Sequence, residues 1–210
     1  MAAIQVKPTR MELSNLKKRL VVAVRGHKMM KDKRDELVRR FIGYARQNKV
    51  LREQVEEKLS LAMKSFVLAR ATMSNAEVEE ALMYPARAAD VTSDIGHVLS
   101  IGVPQLSMDT QEGFVYPSGF STTSSDVDGA VQLLADVLPD LLKLAETEKT
   151  CSRLADEIEK TRRRVNALEY VMIPQFRETI HMIQMKLDEN ERGNTTRLMK
   201  TKEMLANKES

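Results

Sequence analysis

Three histidines (His27, His97 and His181) and a single cysteine (Cys151) are the only side chains in this sequence suited to soft-metal ligation or to a nucleophile and base pair. They are too few and too scattered for a zinc site of ordinary ligand count. No GxxxxGK[ST] loop is present to cradle a phosphate, and no HExxH, CxxC or GxSxG run occurs. Neighbouring carboxylates such as Glu79 and Glu80 fall in a polar helical stretch, where they read as a solvated face. The expectation is a chain with no catalytic group, no metal site and no cofactor. What remains is cationic: Lys17, Lys18 and Arg19, then Arg25, Lys28, Lys31, Lys33 and Arg34, and far along the chain Arg162, Arg163 and Arg164. Such clusters are either solvated and paired with acidic neighbours for a fraction of a kcal/mol each, or they are a surface for an acidic partner or a phosphate backbone. Aromatic residues are only 4% of the chain and no nucleic-acid reading motif is present, which disfavours the last choice.

The cations are unevenly placed. Residues 7–40 hold twelve Lys/Arg against four Asp/Glu, and residues 160–210 hold eleven against seven. The intervening 71–159 hold four against sixteen, so the net +3 conceals two basic ends and an acidic middle. A chain that folds back on itself brings both basic segments to one end, where they attract an acidic partner, and leaves the acidic end to a different one.

The elements that must position these charges are long helices. From Thr9 to about Thr72 there is no proline and only Gly26 and Gly43. One continuous helix there would reach roughly 95 Å. Pro8, Thr9 and Glu12 supply a start signal in which Thr9 caps and Glu12 completes a capping box. Heptad positions counted from Leu13 fall on Leu13, Leu16, Leu20, Ala23, His27, Met30, Arg34, Leu37, Phe41, Tyr44, Asn48, Leu51 and Val55. Ten of the thirteen are apolar or aromatic, which is a sustained coiled-coil pattern. His27, Arg34 and Asn48 are seam positions that cost stability and fix pairing, with His27 read as half-exposed. Leu59, Met63, Phe66 and Val67 extend the stripe.

A second helical stretch runs from about Asp126 to Leu205, interrupted at Pro139, Pro174 and Gly193. Its seam is Cys151, Leu154, Ile158, Thr161, Val165, Leu168 and Met172. The phase then shifts to Ile173, Phe176, Ile180, Ile183 and Leu187, with Leu198 and Leu205 less regular. Pro174 sits at the break, where a missing donor kinks or loosens a helix. Antiparallel pairing of the two stretches places Pro174 near Gly26.

Between them, residues 85–129 carry five of the eight glycines and three of the six prolines. Alternation at Leu99, Ile101 and Val103, a polar Asp109 to Gly113 turn region and then Phe114, Val115 and Tyr116 predict one short β-hairpin at the far end from both termini. A loop from Ser118 to Ser125 leads into the second helix. The expected fold is mainly all-α: a long antiparallel two-helix coiled coil of the N- and C-terminal helices with a short β-hairpin and loop region in mid-chain. The expected divisions are 1–84 (N-terminal helix), 85–125 (irregular region) and 126–210 (C-terminal helix), forming one elongated domain. Residues 1–10 lack the apolar core of a leader, no run reaches the roughly 18 apolar residues of a membrane span, and Cys151 has no internal partner. These features predict a cytoplasmic protein that meets a membrane only through partners, and leave the Asn194-Thr195-Thr196 sequon without use.

Several runs carry a family resemblance: Pro8-Thr9-Arg10-Met11-Glu12-Leu13, Arg25-Gly26-His27-Lys28, Lys31-Asp32-Lys33-Arg34-Asp35-Glu36-Leu37 and Glu159-Lys160-Thr161-Arg162-Arg163-Arg164-Val165-Asn166-Ala167-Leu168-Glu169-Tyr170. With Pro174 and Glu189-Asn190-Glu191-Arg192, they resemble the D-subunit of the V-type (archaeal/bacterial V/A-type) ATPases, with a short C-terminus closer to the bacterial members. The resemblance is weakest between Pro85 and Gly129. It implies a non-catalytic central rotor shaft whose paired terminal helices enter a ring of catalytic A and non-catalytic B subunits. A small F-subunit binds the side of the coiled coil, and the opposite end sits on a funnel-shaped subunit above the membrane rotor ring. On that reading Lys17, Lys18, Arg19, Arg25, Lys28, Arg162, Arg163 and Arg164 are the candidate ring contacts. The alternative is a coiled-coil tether, usually a parallel dimer, with its basic end on nucleic acid or an anionic membrane.

Overall fold

The computed structural model describes residues 6–83, 88–110 and 124–209. In chain order they form α1 (Arg10–Thr72), α2 (Asn75–Leu82), β1 (Ala89–Val98), β2 (Ile101–Thr110), α3 (Ser125–Ala167), a π-helical turn (Leu168–Met172) and α4 (Ile173–Glu209). By contact the chain divides into two units, Met1–Glu36 with Glu159–Ser210, and Leu37–Ile158.

The start of α1 is capped on one side only. Thr9 Oγ1 accepts from the Glu12 N–H at 3.2 Å, but the Thr9 N–H donates to the Lys7 carbonyl, so the expected reciprocal bond from Glu12 is not made. The complete capping box lies instead at α2, where Ser74 accepts from the Glu77 N–H and Glu77 accepts from the Ser74 N–H. Extended backbone at Ser74 separates the two helices, so the described part of residues 1–84 holds α1 and α2. A Cβ at Gly26, Gly43 or Gly193 would meet nothing within 4 Å, and helix continues through all three. It continues through Pro139 as well.

In the first unit, Leu16 packs with Phe176, Ile180 and Ile183, flanked by Leu13, Leu20, Ala23 and Leu187. Arg10 pairs with Glu191, and His27 Nε2 lies 3.3 Å from Glu169 Oε2. As α1 advances its partner residues descend, which is antiparallel pairing of the chain's two ends. The π turn accounts for the change of phase in the C-terminal stripe. Pro174 has no N–H for the Tyr170 carbonyl, and the Ile173 N–H reaches back five residues to Leu168. The extra residue in that turn rotates Met172 to the surface and Ile173 into the seam. Met172 was expected in the seam. Gly26 is beside His27 and so close to this turn, yet it faces open space and is not a site of close approach.

In the second unit, Arg52 meets Glu148 and Lys58 meets Asp140, each at 2.5 Å, so α1 and α3 are again antiparallel. Val55, Ala62 and Ala69 on α1 and Val127, Ala130 and Val137 on α3 are buried. Met63 and Val67, which the bulky apolar pattern favoured, are exposed.

The mid-chain hairpin is longer and turns earlier than the sequence suggested. Residues 89–98 pair antiparallel with 101–110, from Ala89 opposite Thr110 to Val98 opposite Ile101. The two-residue turn is Leu99-Ser100, both with positive φ (49° and 71°), the primed-turn geometry that follows the twist of two strands. The expected turn at Asp109 to Gly113 is therefore replaced by strand at 109–110. Phe114 to Tyr116 and most of the Ser118 to Ser125 loop lie outside the described residues.

Candidate rotor surface

The candidate surface is built on the paired helices of the first unit. Successive residues of a helix are about 100° apart, so Lys17, Lys18 and Arg19 fan around α1, and Arg162, Arg163 and Arg164 do the same at the end of α3. All six are exposed, as are Arg25 and Lys28. Arg163 pairs with Glu159 one turn earlier on its own helix. Lys17, Lys18, Arg19, Arg25, Lys28, Arg162 and Arg164 make no ion pair with any described residue. Arg34, at a heptad position, bends its guanidinium back to Asp35 at 2.7 and 3.0 Å and stays half-buried. His27 is the other polar group of the α1 seam in this unit, held by Glu169.

Heptad counting from Leu13 lands on a buried or half-buried side chain at each of its thirteen positions, including Met30, Leu37, Phe41, Tyr44 and Leu51. On the C-terminal side Leu154, Val165, Phe176, Ile180 and Ile183 are buried, and Ile158 and Leu168 are half-buried. Leu198 and Leu205 are exposed. In the first unit the cations lie outside the apolar seam. They do not converge on a cleft.

Among the described residues no three His, Cys, Asp or Glu side chains come together to hold a metal ion. His97 lies exposed on the hairpin, His181 is exposed on α4, and Glu79 and Glu80 are exposed on α2. Cys151 is half-buried, and loss of solvent around it, helped by Glu148, pushes its thiol pKa up, away from the reactive thiolate. No helix among the described residues is long and apolar enough to cross a membrane.

Two features escaped the sequence reading. The cross-helix pairs of the second unit, Arg52 with Glu148 and Lys58 with Asp140, depend on a register that sequence does not supply. The Arg52 guanidinium pKa is raised by its hydrogen bond to Glu148, and the Asp140 carboxyl is held below its ordinary value by Lys58. The second feature is apolar exposure in the first unit, at Val21, Val22 and Val24 of α1 and at Tyr170 to Met172 of the π turn. Apolar residues off the heptad positions are the signal that marks them.

The sequence model of the ATP synthase D-subunit family matches residues 12–203. The chain belongs to that family. It is 54% identical over 209 residues to the V-type ATP synthase D-subunit of Clostridium novyi, covering 98% of this chain and 97% of that protein. It is 55% identical over 206 residues to the V-type ATP synthase D-subunit of a Thermoanaerobacter strain (98% and 99% covered), and 55% identical over 208 residues to that of Acetivibrio thermocellus (98% and 94%). As a family member the chain is a central stalk subunit of a rotary V-type ATPase and part of that complex. The tether reading finds no support: the chain pairs its own two ends, through Arg10 and Glu191, as a stalk does.

Proposed function

We propose that this stalk subunit turns inside a ring of catalytic A and non-catalytic B subunits and couples their ATP chemistry to ion transport, while contributing no catalytic group itself. Family membership across residues 12–203 carries the reading. The pairing of the two basic chain ends in the first unit supports it, because a surface that presents cations on many sides suits a partner that surrounds it. A stalk without threefold symmetry makes three otherwise equal sites of a ring inequivalent at any instant. Coupling then runs both ways, with nucleotide occupancy biasing stalk angle and stalk angle biasing nucleotide affinity. Individual exposed contacts of roughly 0.2 to 1 kcal/mol suit rotation, since a tighter hold at one angle would stall it. The small F-subunit on the side of the helices, the funnel-shaped subunit at the acidic end and a place on the cytoplasmic side of the membrane complete the proposal.

The test is reconstitution. The purified chain is expected to hydrolyse no ATP, and its addition to an A/B ring to change the ring's turnover. Unchanged kinetics with the chain demonstrably bound would remove the stalk-coupling reading. Neutralising Lys17, Lys18, Arg19, Arg162, Arg163 and Arg164 together is expected to weaken ring binding at low salt with helicity intact, whereas any one Arg→Ala change is tolerated.

A further inference from the structure

The mid-chain hairpin has two outer edges, and they are not alike. The two-residue turn at Leu99-Ser100 makes Val98 and Ile101 a hydrogen-bonded pair, and from there bonded and non-bonded pairs alternate along the ladder. The N–H and C=O groups of residues 90, 92, 94, 96 and 98 therefore point in toward β2, and those of 89, 91, 93, 95 and 97 point out. Pro104, opposite Ile95, falls at an outward position of β2. There its missing N–H takes nothing from the ladder and interrupts that edge in mid-strand. The outer edge of β1 carries no proline. Among the described residues no strand pairs with it, and residues 89–95 are all exposed.

The two faces of the hairpin differ as well. Val91 and Ile95, 50% and 75% exposed, share one face with Leu106 and Met108. Asp90 and Asp94 share the other with Asp109, beside the hydroxyl pair of Thr92 and Ser107. The open edge thus borders an apolar surface on one side and an acidic one on the other. A strand laid along it sets alternate side chains on each. Those on the first face gain by covering Val91 and Ile95, and those on the second gain by being cationic. Another copy of β1 is a poor occupant, since it brings Asp90 and Asp94 against their own kind.

We propose that the outer edge of β1 takes an added strand from another protein, an extended segment in which apolar residues alternate with lysine or arginine. Backbone hydrogen bonds hold such a segment in one register and one orientation. The donor is then a subunit that turns with the stalk, a step that rests on the stalk reading, because a contact of this kind does not slip past a stationary ring.

Ser93→Pro removes a donor from the edge without touching the ladder, since the Ser93 N–H points outward as position 104 does on β2. The probe is a seven-residue peptide alternating lysine and valine, blocked at both ends and added to the full-length chain. It is expected to bind at least about tenfold more tightly than its glutamate and valine counterpart. It is also expected to slow amide exchange at Val91, Ser93 and Ile95, and to lose its affinity for Ser93→Pro, in which the inward amides of Thr92 and Asp94 stay protected. Equal binding of the two peptides would overturn the assigned chemistry, and undiminished binding to Ser93→Pro would overturn the edge. So would a wild-type dimer in sedimentation that Ser93→Pro converts to monomer, which assigns the edge to a second copy of this chain. In the assembled V-type complex the same three amides are expected to exchange at least about tenfold more slowly than in the free chain. Free-chain rates there, with the chain incorporated, overturn the inference and leave the stalk reading intact, whereas a chain that enters no complex overturns the stalk reading.

Discussion

The two units solve helix pairing with different side chains. The first fills its seam with large groups, Leu16 against Phe176, Ile180 and Ile183. Beyond Leu37 and Leu154, the second buries smaller groups, Val55, Ala62 and Ala69 of α1 and Val127, Ala130 and Val137 of α3, and ties the two helices together with Arg52 to Glu148 and Lys58 to Asp140. Large seam residues remove more apolar area per contact, which stabilises more but leaves larger holes when cut back. Small residues gain less from burial and fix spacing more strictly, because no side chain is available to bend aside. The seam around Leu16 therefore depends on volume, and the stretch of the second unit around Ala62 and Ala69 on the absence of it.

The largest effect that tests this contrast is Ile183→Ala. Ile183 is fully buried, and truncation is expected to cost about 2 to 5 kcal/mol, read as a fall in the denaturant midpoint. A cost below about 1 kcal/mol would mean that the first unit collapses around the gap and does not depend on volume. The opposite change belongs to the second unit. Ala62→Leu is expected to cost about 1 to 3 kcal/mol by overpacking, and a neutral result would show room where close approach is inferred.

Pro174→Ala sharpens the comparison at the π turn. It gives the Tyr170 carbonyl an N–H to accept from, a net gain of about 1 kcal/mol if the turn relaxes to α-helix. The expected outcome is a protected amide at position 174 in hydrogen exchange and a less exposed Met172 in oxidative footprinting. A Met172 as exposed as in the wild type would show that side-chain packing holds the π turn without the proline.

The smallest effect is the most diagnostic in pH. The Lys58 hydrogen bond depresses the Asp140 carboxyl below 3.8, so its contribution is complete above the unfolded value and disappears as pH falls through the folded one. Asp140→Asn is expected to cost less than about 1 kcal/mol at neutral pH, since the pair is largely solvated. The difference from wild type should shrink as pH falls below about 3.9 and vanish once pH is below the folded value. A difference that persists there would mean that packing, and not charge, is lost.

Much of the architecture was legible because heptads encode one helix face. The long helices, the mid-chain hairpin and the phase shift before Ile173 all follow from periodicity and turn composition. What misled was size. Met63 and Val67 outweighed Ala62 and Ala69 in the pattern, although the strict seven-residue spacing of Val55, Ala62 and Ala69 carries the signal. The hairpin turn was misplaced because Leu99-Ser100 lacks the Asn or Gly that positive φ favours, while Asp109 to Gly113 has glycine and acidic residues to offer. At the candidate site, the cations were readable as exposed because charge rarely buries alone. The exposure of Val21, Val22, Val24 and Met172 was not, since pattern reading assigns valine and methionine to the interior by default.

Arg10 and Glu191 are 181 residues apart, whereas Lys58 and Asp140 are 82 apart. At about 5 to 20 residues per second, Leu16 is made roughly 8 to 33 s before Ile183. Through that interval the inner segments can close the shorter loop, but the first turns of α1 have an apolar stripe and no complement. Another nascent chain on the same message presents the same stripe, so mispairing between neighbours competes with the correct partner until synthesis is nearly finished. A chain whose two ends must meet is completed last at its beginning.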